Sequence, residues 1–322
     1  MKIAVLFLIS FLLSSSFGGC KTDVSSIGSN TTVNVKSNIT QTKPKEDKET
    51  LKSDEGSKLN DNSKLTEDSK PKEILEPNKN SKTTEVTKIK ANESFKFNNE
   101  GIPILMYHSV KYEKDNPVRI AEERFREQMR YLKDNGYTTL TLDEAYAFFQ
   151  SNTPVPKKSV VLTFDDGYVD NFTTAYPILK EFGFKATIFV ITNVIGKGEY
   201  LSEVQIKELD EHGLDIQSHT VNHENLSELS YDKQLATLKN SKEFLEKLLD
   251  KQIKYIAYPF GKYNKDTVKA VEAAGYDLAL TTAGKWSDKA DGIYTLDRVY
   301  ISGFHDMETF KNRISNPEYS IQ

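Results

Sequence analysis

From Phe95 to the end of the chain, segments with strand character alternate with segments with helix character. Short apolar runs rich in β-branched residues, such as residues 159–164, are typical of buried strands, and amphipathic stretches between them are typical of helices. Seven or eight β–α units in series indicate a parallel sheet covered by helices. The sequence therefore predicts an α/β fold, a (β/α)7–8 barrel that is closed or nearly closed in the manner of a distorted TIM barrel.

Capping residues mark where several of these helices begin. Thr141 with Glu144, and Ser202 with Gln205, have the spacing of capping boxes, in which each side chain bonds the backbone of the other residue. Asn264 is a typical N-cap residue before a third helix. We therefore expect helices to begin directly after these positions.

Residues 1–19 have the features of a secretory signal peptide. A basic start is followed by an apolar run from Ile3 to Leu13, which is short for a membrane span, and then by small residues. Cys20, the single cysteine of the chain, stands where a lipoprotein carries its lipid, in a context that resembles a lipobox. The sequence predicts lipidation at Cys20; the alternative is a plain secretory peptide in which this cysteine is incidental. One cysteine permits no intramolecular disulfide.

Residues 20–97 differ in composition from the rest of the chain. No aromatic residue occurs between Phe17 and Phe95, and charged residues of both signs alternate with Ser, Thr and Asn. Such a segment buries too little apolar surface to offset chain entropy, so we expect a disordered tether. Mixed charge here and a net charge of −4 for the chain argue against nucleic acid as a partner. We expect a monomeric catalytic domain over residues 98–322, held by its lipid at the outer face of a bacterial membrane.

Asp165 and Asp166 follow directly after the apolar run that ends at Phe164, and Gly167 follows them. In a barrel of parallel strands, the carboxyl ends of the strands carry the chemistry. Two carboxylates in different surroundings have different pKa values and can take different roles. The alternative is a surface turn, for which Asp and Gly are ordinary residues.

His219 and His223 follow the short strand that ends at Gln217. Two histidines four residues apart can lie on one face of a helical turn and reach the same ion. With Asp166 they form a set of two histidines and one carboxylate, which leaves coordination positions open for water and substrate. The alternative is a chance pair of surface histidines.

Together the two motifs resemble a known family. The segments Thr163-Phe164-Asp165-Asp166-Gly167 and His219-Thr220-x-x-His223 are similar to the first two motifs of the polysaccharide deacetylases, which are NodB-homology domains of carbohydrate esterase family 4. The resemblance extends over residues 102–314. It implies the NodB-type barrel as the fold.

The resemblance also implies roles for these residues. Asp165 corresponds to the general base, and Asp166, His219 and His223 correspond to the ligands of a divalent metal. Zinc is the expected ion, with cobalt or nickel as alternatives. A base beside an attacking water can accept its proton.

The third motif of the family departs from its usual form. Where the family has an arginine followed by proline and an aromatic residue, this chain has Ala257-Tyr258-Pro259-Phe260-Gly261. The backbone N–H of Phe260 can still hold the oxyanion. Arg298, near another strand end, is a candidate to support Asp165 in place of the missing arginine; the alternative is a structural ion pair. Tyr258 and Trp286 are candidates for lining the substrate groove.

The family's histidine acid is missing from its usual place near the carboxyl terminus. His108 instead follows the first predicted strand, in Pro103-Ile104-Leu105-Met106-Tyr107-His108. This arrangement resembles the circularly permuted members, such as the poly-N-acetylglucosamine deacetylases. The resemblance implies that His108 protonates the leaving amine; the alternative is a histidine packed at a strand end.

The function expected from the sequence is metal-dependent removal of acetyl groups from an N-acetylglucosamine polysaccharide of the cell wall or of a biofilm, with release of acetate. Peptidoglycan, poly-N-acetylglucosamine and chitin fragments remain open as the polymer. The alternatives are an O-acetyl esterase acting on an acetylated glycan and a non-catalytic glycan-binding lipoprotein. A glycosidase is disfavoured because adjacent carboxylates cannot flank a sugar bond and because the histidines would have no role.

Overall fold

A computed structural model describes residues 94–321 of the chain. The predicted signal peptide, Cys20 and nearly all of the predicted tether lie outside these residues. The described residues contain ten strands and seven α-helices. The strands are β1 (Phe95–Lys96), β2 (Ile104–Tyr107), β3 (Thr138–Leu140), β4 (Val155–Pro156), β5 (Ser159–Phe164), β6 (Thr187–Val190), β7 (Asp215–Ser218), β8 (Tyr255–Ala257), β9 (Leu278–Leu280) and β10 (Val299–Tyr300).

The helices lie between the strands, as the alternating pattern predicts. They are α1 (Glu122–Asp134), α2 (Leu142–Ser151), α3 (Tyr176–Phe182), α4 (Glu203–Glu211), α5 (Tyr231–Leu249), α6 (Lys265–Ala273) and α7 (Met307–Ser315). None of these helices has both the length and the apolar character that a bilayer crossing requires.

The predicted helix starts are confirmed. Thr141 and Glu144 form a reciprocal capping box before α2, and Ser202 and Gln205 form one before α4. The Asn264 side chain accepts hydrogen bonds from the first turn of α6. Local side-chain chemistry therefore fixes these three boundaries.

The main sheet is parallel, with strand order β10-β2-β5-β6-β7-β8-β9. β3 pairs with the first half of β5, while β6 pairs with its last two residues. An isolated parallel bridge between Leu280 and Leu296 links β9 to the segment that leads into β10. The sheet is therefore curled into a barrel-like shape. A short antiparallel ribbon of β1 and β4 lies apart from it.

The last strand of the sheet is very short. Within residues 294–301, β10 contains only Val299 and Tyr300. The segment pairs with β9 at Leu296 and with β2 at Val299. It passes from one edge of the curled sheet to the other, so it cannot pair continuously with either.

Successive side chains of β5 point to opposite faces of the sheet, and this determines which of them point into the barrel. Val160 and Leu162 join the larger core between sheet and helices, whereas Val161 joins a second core with residues of α2 and the inner faces of other strands. Side chains two residues apart on a strand share a face. Thr163 and Asp165 therefore continue the inward face of Val161.

Candidate active site

The two adjacent carboxylates point in different directions. Asp165 follows β5 on its inward face and is 2% exposed. Asp166 has a positive φ of 71°, which turns its side chain toward the loops at the carboxyl ends of the strands. Gly167 follows with φ 77°, and a Cβ there would lie 2.8 Å from Val190 Cγ1. The turn therefore needs its glycine.

Asp166, His219 and His223 come together as predicted. Their candidate ligand atoms lie within 4.8 Å of one another. Nε2 of His219 is 3.5 Å from Asp166 Oδ1, and Nε2 of His223 is 3.4 Å from the same oxygen. These side chains converge on one point from the ends of β5 and β7.

The hydrogen bonds of the cluster fit a bound cation. Nδ1 of His219 lies 2.8 Å from the Ala257 carbonyl oxygen, to which it can only donate, so Nε2 keeps its lone pair facing Asp166. Asp166 Oδ1 is buried and accepts no hydrogen bond from the residues that the structure describes. A buried oxygen without a donor beside two imidazole nitrogens is a suitable set of ligands for a divalent metal.

The segment that carries the histidines is a turn, so the prediction of a helical turn is wrong. Thr220 and His223 both have positive φ, 65° and 58°. The Glu224 carboxylate accepts from the backbone N–H of Asn222 at 3.1 Å, and Thr237 Oγ1 accepts from the backbone N–H of Val221 at 3.1 Å. Side chains therefore hold a strained loop, a feature that is common at functional sites.

Burial shifts the pKa values of His219 and Asp166 in opposite directions. It lowers the pKa of His219 to about 3, and it raises the pKa of Asp166 to about 7, with a further contribution from the charge of Asp165. The imidazole of His219 is therefore neutral at physiological pH, which is the form that binds metal.

Arg298 pairs with Asp165. Nη1 and Nη2 of Arg298 donate to the two carboxylate oxygens at 2.6 and 2.7 Å, and neither residue is more than 2% exposed. Arg298 Nε donates to the Thr281 carbonyl, and Nη1 also donates to Thr163 Oγ1 at 3.2 Å. A bidentate pair of this kind fixes the plane of the carboxylate. The structure thus places an arginine on Asp165 although the third motif lacks one.

Arg298 contributes most to keeping Asp165 ionised. Burial alone would raise the pKa of this carboxyl group, but the neighbouring guanidinium, together with His219 and His108, outweighs burial and holds the pKa far below its ordinary value. Asp165 is therefore ionised throughout the physiological pH range.

His108 lies directly after the carboxyl end of β2. Its Nδ1 is buried and makes no hydrogen bond within residues 94–321. The ring meets Tyr300 edge-on with centroids 6.3 Å apart. Burial lowers the pKa of His108, while the negative charge of Asp165 opposes that shift. Arg298 and His223 add to the lowering of this pKa.

Phe260 lies in a tight turn after β8. It has φ 57°, a conformation that is rare for residues with a side chain. The residue is 58% exposed, and its ring packs against His223 with centroids 4.4 Å apart. The turn therefore brings the Phe260 ring against a candidate metal ligand.

Two predicted site residues are not part of the cluster. The Tyr258 side chain is fully buried in the core, and its hydroxyl donates to the Tyr294 carbonyl. The Trp286 indole donates to the Arg313 carbonyl, and the residue after it pairs with Ile102, which precedes β2. Because His108 follows the other end of β2, Trp286 is displaced toward the amino end of that strand. Neither position fits the predicted role in the substrate groove.

Comparison with known proteins identifies the family. The sequence profile described as polysaccharide deacetylase matches residues 152–279, which include the Asp pair and the His pair. YxkH of Bacillus subtilis (strain 168), whose name assigns it to the polysaccharide deacetylases, is 41% identical over 201 residues, which are 62% of this chain and 71% of YxkH. The chain belongs to the polysaccharide deacetylase family. The resemblance inferred from the motifs is confirmed.

Two further relatives of this polysaccharide deacetylase are informative. The poly-β-1,6-N-acetyl-D-glucosamine N-deacetylase of Staphylococcus aureus (strain MRSA252) is 29% identical over 197 residues, which are 57% of this chain and 68% of that enzyme. The structure of the Streptococcus pyogenes deacetylase PplD in complex with acetate matches with a TM-score of 0.64 and 35% identity, over 67% of this chain and 98% of that one. The predicted fold class is thereby confirmed, as a curled parallel half-barrel of the NodB type.

Proposed function

We propose that this polysaccharide deacetylase hydrolyses N-acetyl groups of a poly-N-acetylglucosamine polymer outside the cytoplasm with the help of a divalent metal. The observation that carries the proposal is the buried Asp165–Arg298 pair beside the cluster of Asp166, His219 and His223. A charged base and a set of metal ligands occur together where the strands of the barrel end.

The metal is proposed to be zinc, held by Asp166, His219 and His223. All three residues provide oxygen or imidazole nitrogen atoms, and three protein ligands leave room for substrate, as in catalytic zinc sites. A divalent cation bound there supplies Lewis-acid polarisation of the acetamide carbonyl and makes water more acidic.

The other residues supply proton transfer and orientation. Asp165, ionised and held by Arg298, accepts a proton from the water that attacks the acetyl carbon. The Phe260 N–H donates to the carbonyl oxygen as negative charge develops on it. His108 delivers a proton to the amine as the C–N bond breaks, and acetate leaves. The proton taken up by Asp165 balances the proton given by His108, so the reaction consumes one water.

Poly-N-acetylglucosamine is favoured over peptidoglycan and chitin by the position of His108 and by the Staphylococcus aureus relative. We expect acetate release from β-1,6-linked N-acetylglucosamine oligomers to exceed release from β-1,4-linked oligomers of equal length. Preferential cleavage of acetylated xylan would instead support an O-acetyl esterase, and binding of oligomers without any acetate release would support a glycan-binding lipoprotein.

The location is part of the proposal. Residues 1–19 are proposed to direct secretion, Cys20 to carry the lipid, and residues 20–97 to tether a monomeric catalytic domain at the cell surface. Metabolic labelling with a fatty acid tests this: label on the wild-type chain and none on Cys20→Ser supports the anchor. Equal labelling of the two, or none, contradicts it.

Loss of one histidine ligand is expected to weaken metal binding strongly. His223→Ala removes one of three ligands, and we expect zinc affinity, measured by calorimetry, to fall at least about 100-fold. His212→Ala is the matched control, because His212 is exposed and stacks on Tyr176 rather than on the cluster. Unchanged zinc affinity in the His223 variant would contradict the assignment of the ligands.

Gly261→Ala is expected to disturb the oxyanion turn. A Cβ at Gly261 would lie 2.1 Å from Thr282 Oγ1, and the residue has φ +64°. The turn with Phe260 must shift, and a shift of about 1 Å costs about 100-fold in rate. We therefore expect acetate release to fall by about 10- to 100-fold with zinc affinity unchanged. Gly213→Ala, with similar backbone strain but open space around the new Cβ, is the control; equal losses in both variants would contradict this account.

A further inference from the structure

Two buried polar residues near the site have no role in the reaction proposed above. Asp170 and Asn171 follow Asp166 within the same loop and are 4% and 0% exposed. Burying a carboxylate and an amide is costly unless hydrogen bonds compensate. Their hydrogen-bond partners therefore indicate what they are for.

Both side chains bind the short segment that begins with His108. Asp170 Oδ2 accepts from Ser109 Oγ at 2.7 Å, and Asp170 Oδ1 accepts from the Val110 N–H at 2.7 Å. Asn171 Nδ2 donates to the carbonyl oxygen of His108 at 2.8 Å. Three consecutive residues are thus held by two neighbouring side chains.

The imidazole of His108 depends on this support. Its Nδ1 has no hydrogen-bond partner in the described part of the chain, so no side chain bonded at that atom orients the ring. The ring packs edge-on against Tyr300, and its position otherwise follows the backbone, which is also tied to the following loop through Ser109 N–Val118 O and Ile120 N–Ser109 O. A change in the backbone at His108 therefore moves the ring directly.

The same loop also carries the proposed base and a proposed metal ligand. Asp165 and Asp166 begin it, and Asp170 and Asn171 end it where a π-helical turn, Asn171–Ala175, opens the way into α3. Such turns are rare and often occur at functional sites. The loop that begins at Asp165 thus carries the proposed base and a proposed metal ligand. Through the hydrogen bonds of Asp170 and Asn171 it also holds residues 108–110, which include the proposed acid.

We propose that Asp170 and Asn171 are positioning residues that set the place of His108 relative to the scissile C–N bond. This rests on the proposed function, in which His108 protonates the leaving amine. The two residues contact neither substrate nor metal; they act through the backbone of residues 108–110.

The test compares Asp170→Ala with Asp170→Asn. The alanine variant loses both hydrogen bonds, and we expect kcat on a β-1,6-linked N-acetylglucosamine oligomer to fall about 10- to 100-fold with little change in KM. In the asparagine variant, the side-chain oxygen can still accept from Val110 and the amide can donate to Ser109 Oγ. We expect this variant to recover most of the rate.

Hydrolysis of an aryl acetate distinguishes a positioning role of Asp170 from a general disturbance of the active site. Its phenolate leaves without a proton, so general-acid catalysis contributes little, and we expect Asp170→Ala to change this rate far less than the oligomer rate. Asp215→Ala is the control, because Asp215 is partly buried at the amino end of β7 and pairs with Lys251. The control is expected to leave the ratio of the two rates unchanged. An equal fall of both rates in Asp170→Ala would overturn the proposal.

A double-mutant cycle with His108→Ala completes the test. If Asp170 acts through His108, Asp170→Ala has no further effect on the oligomer rate in the His108→Ala background. Full additivity would overturn the positioning role while leaving His108 as the acid. An unchanged oligomer rate in His108→Ala alone would show instead that the proposed mechanism, on which the inference rests, is wrong.

Discussion

We expect Asp165→Asn to release acetate about 100- to 10,000-fold more slowly than the wild-type protein, which is the range of general-base catalysis. Asparagine keeps the shape of the side chain and an acceptor for Arg298, but it cannot take a proton from water. Asp166, His219 and His223 are untouched. Steady-state acetate release should therefore collapse while zinc affinity stays near that of the wild type.

The matched control for this prediction is Asp134→Asn, an exposed aspartate at the end of α1. It should leave both acetate release and zinc affinity unchanged. An Asp165→Asn variant with near wild-type acetate release would show that another group accepts the proton of water. Loss of zinc together with activity would show that Asp165 is needed at the metal site itself.

The second large effect is expected on stability, from Arg298→Met. Methionine fills much of the space of arginine but leaves the buried Asp165 carboxylate without its partner. Breaking a buried ion pair on one side costs about 3–5 kcal/mol. Chemical denaturation should therefore show a fall of about 3–5 kcal/mol in the free energy of unfolding at neutral pH.

The pH dependence of this loss follows from the pKa of Asp165. In the wild type, Arg298 holds that pKa below the unfolded value, so Asp165 adds stability above the unfolded pKa of about 3.9, and the contribution is lost as pH falls through the folded pKa. In Arg298→Met, the guanidinium no longer opposes the effect of burial, which raises the pKa of Asp165, so the ionised carboxylate destabilises the fold. The stability difference between the two proteins should widen as pH rises from about 3 to 7 and narrow on acidification.

A double variant distinguishes the ion pair from simple packing. Asp165→Asn with Arg298→Met removes both charges, so it should be more stable than Arg298→Met alone at neutral pH, while acetate release stays lost. A double variant that is less stable by the full sum of both single changes would contradict a direct Asp165–Arg298 pairing.

Much of the site follows from the sequence because strand ends in a parallel barrel meet at one edge. Asp165, Asp166 and His108 stand directly after the runs that form β5 and β2, and the alternation along β5 sends Asp165 inward. Arg298 could be proposed only as one candidate among others. Arg298 reaches Asp165 because the bridge at Leu296 brings the segment before β10 across the barrel. No local sequence pattern indicates that bridge.

Other features depend on tertiary contacts that a local pattern does not carry. His219 and His223 have helical spacing, yet side chains of the neighbouring loop and α5 hold them in a strained turn instead. Tyr258 and Trp286 are aromatic residues near predicted strand ends, but hydrogen bonds to backbone acceptors direct their side chains elsewhere. Asp170 carries no sequence signal, because its hydrogen-bond partners Ser109 and Val110 lie in a separate loop, after β2.

The most direct test of the account is a zinc titration of the metal-free protein in the presence of a β-1,6-linked N-acetylglucosamine oligomer. Acetate release and bound zinc are measured in the same samples. The account predicts no release without metal, and release that rises in proportion to occupancy until one zinc is bound per chain. Full acetate release from protein freed of metal, or release that does not follow occupancy, would contradict it.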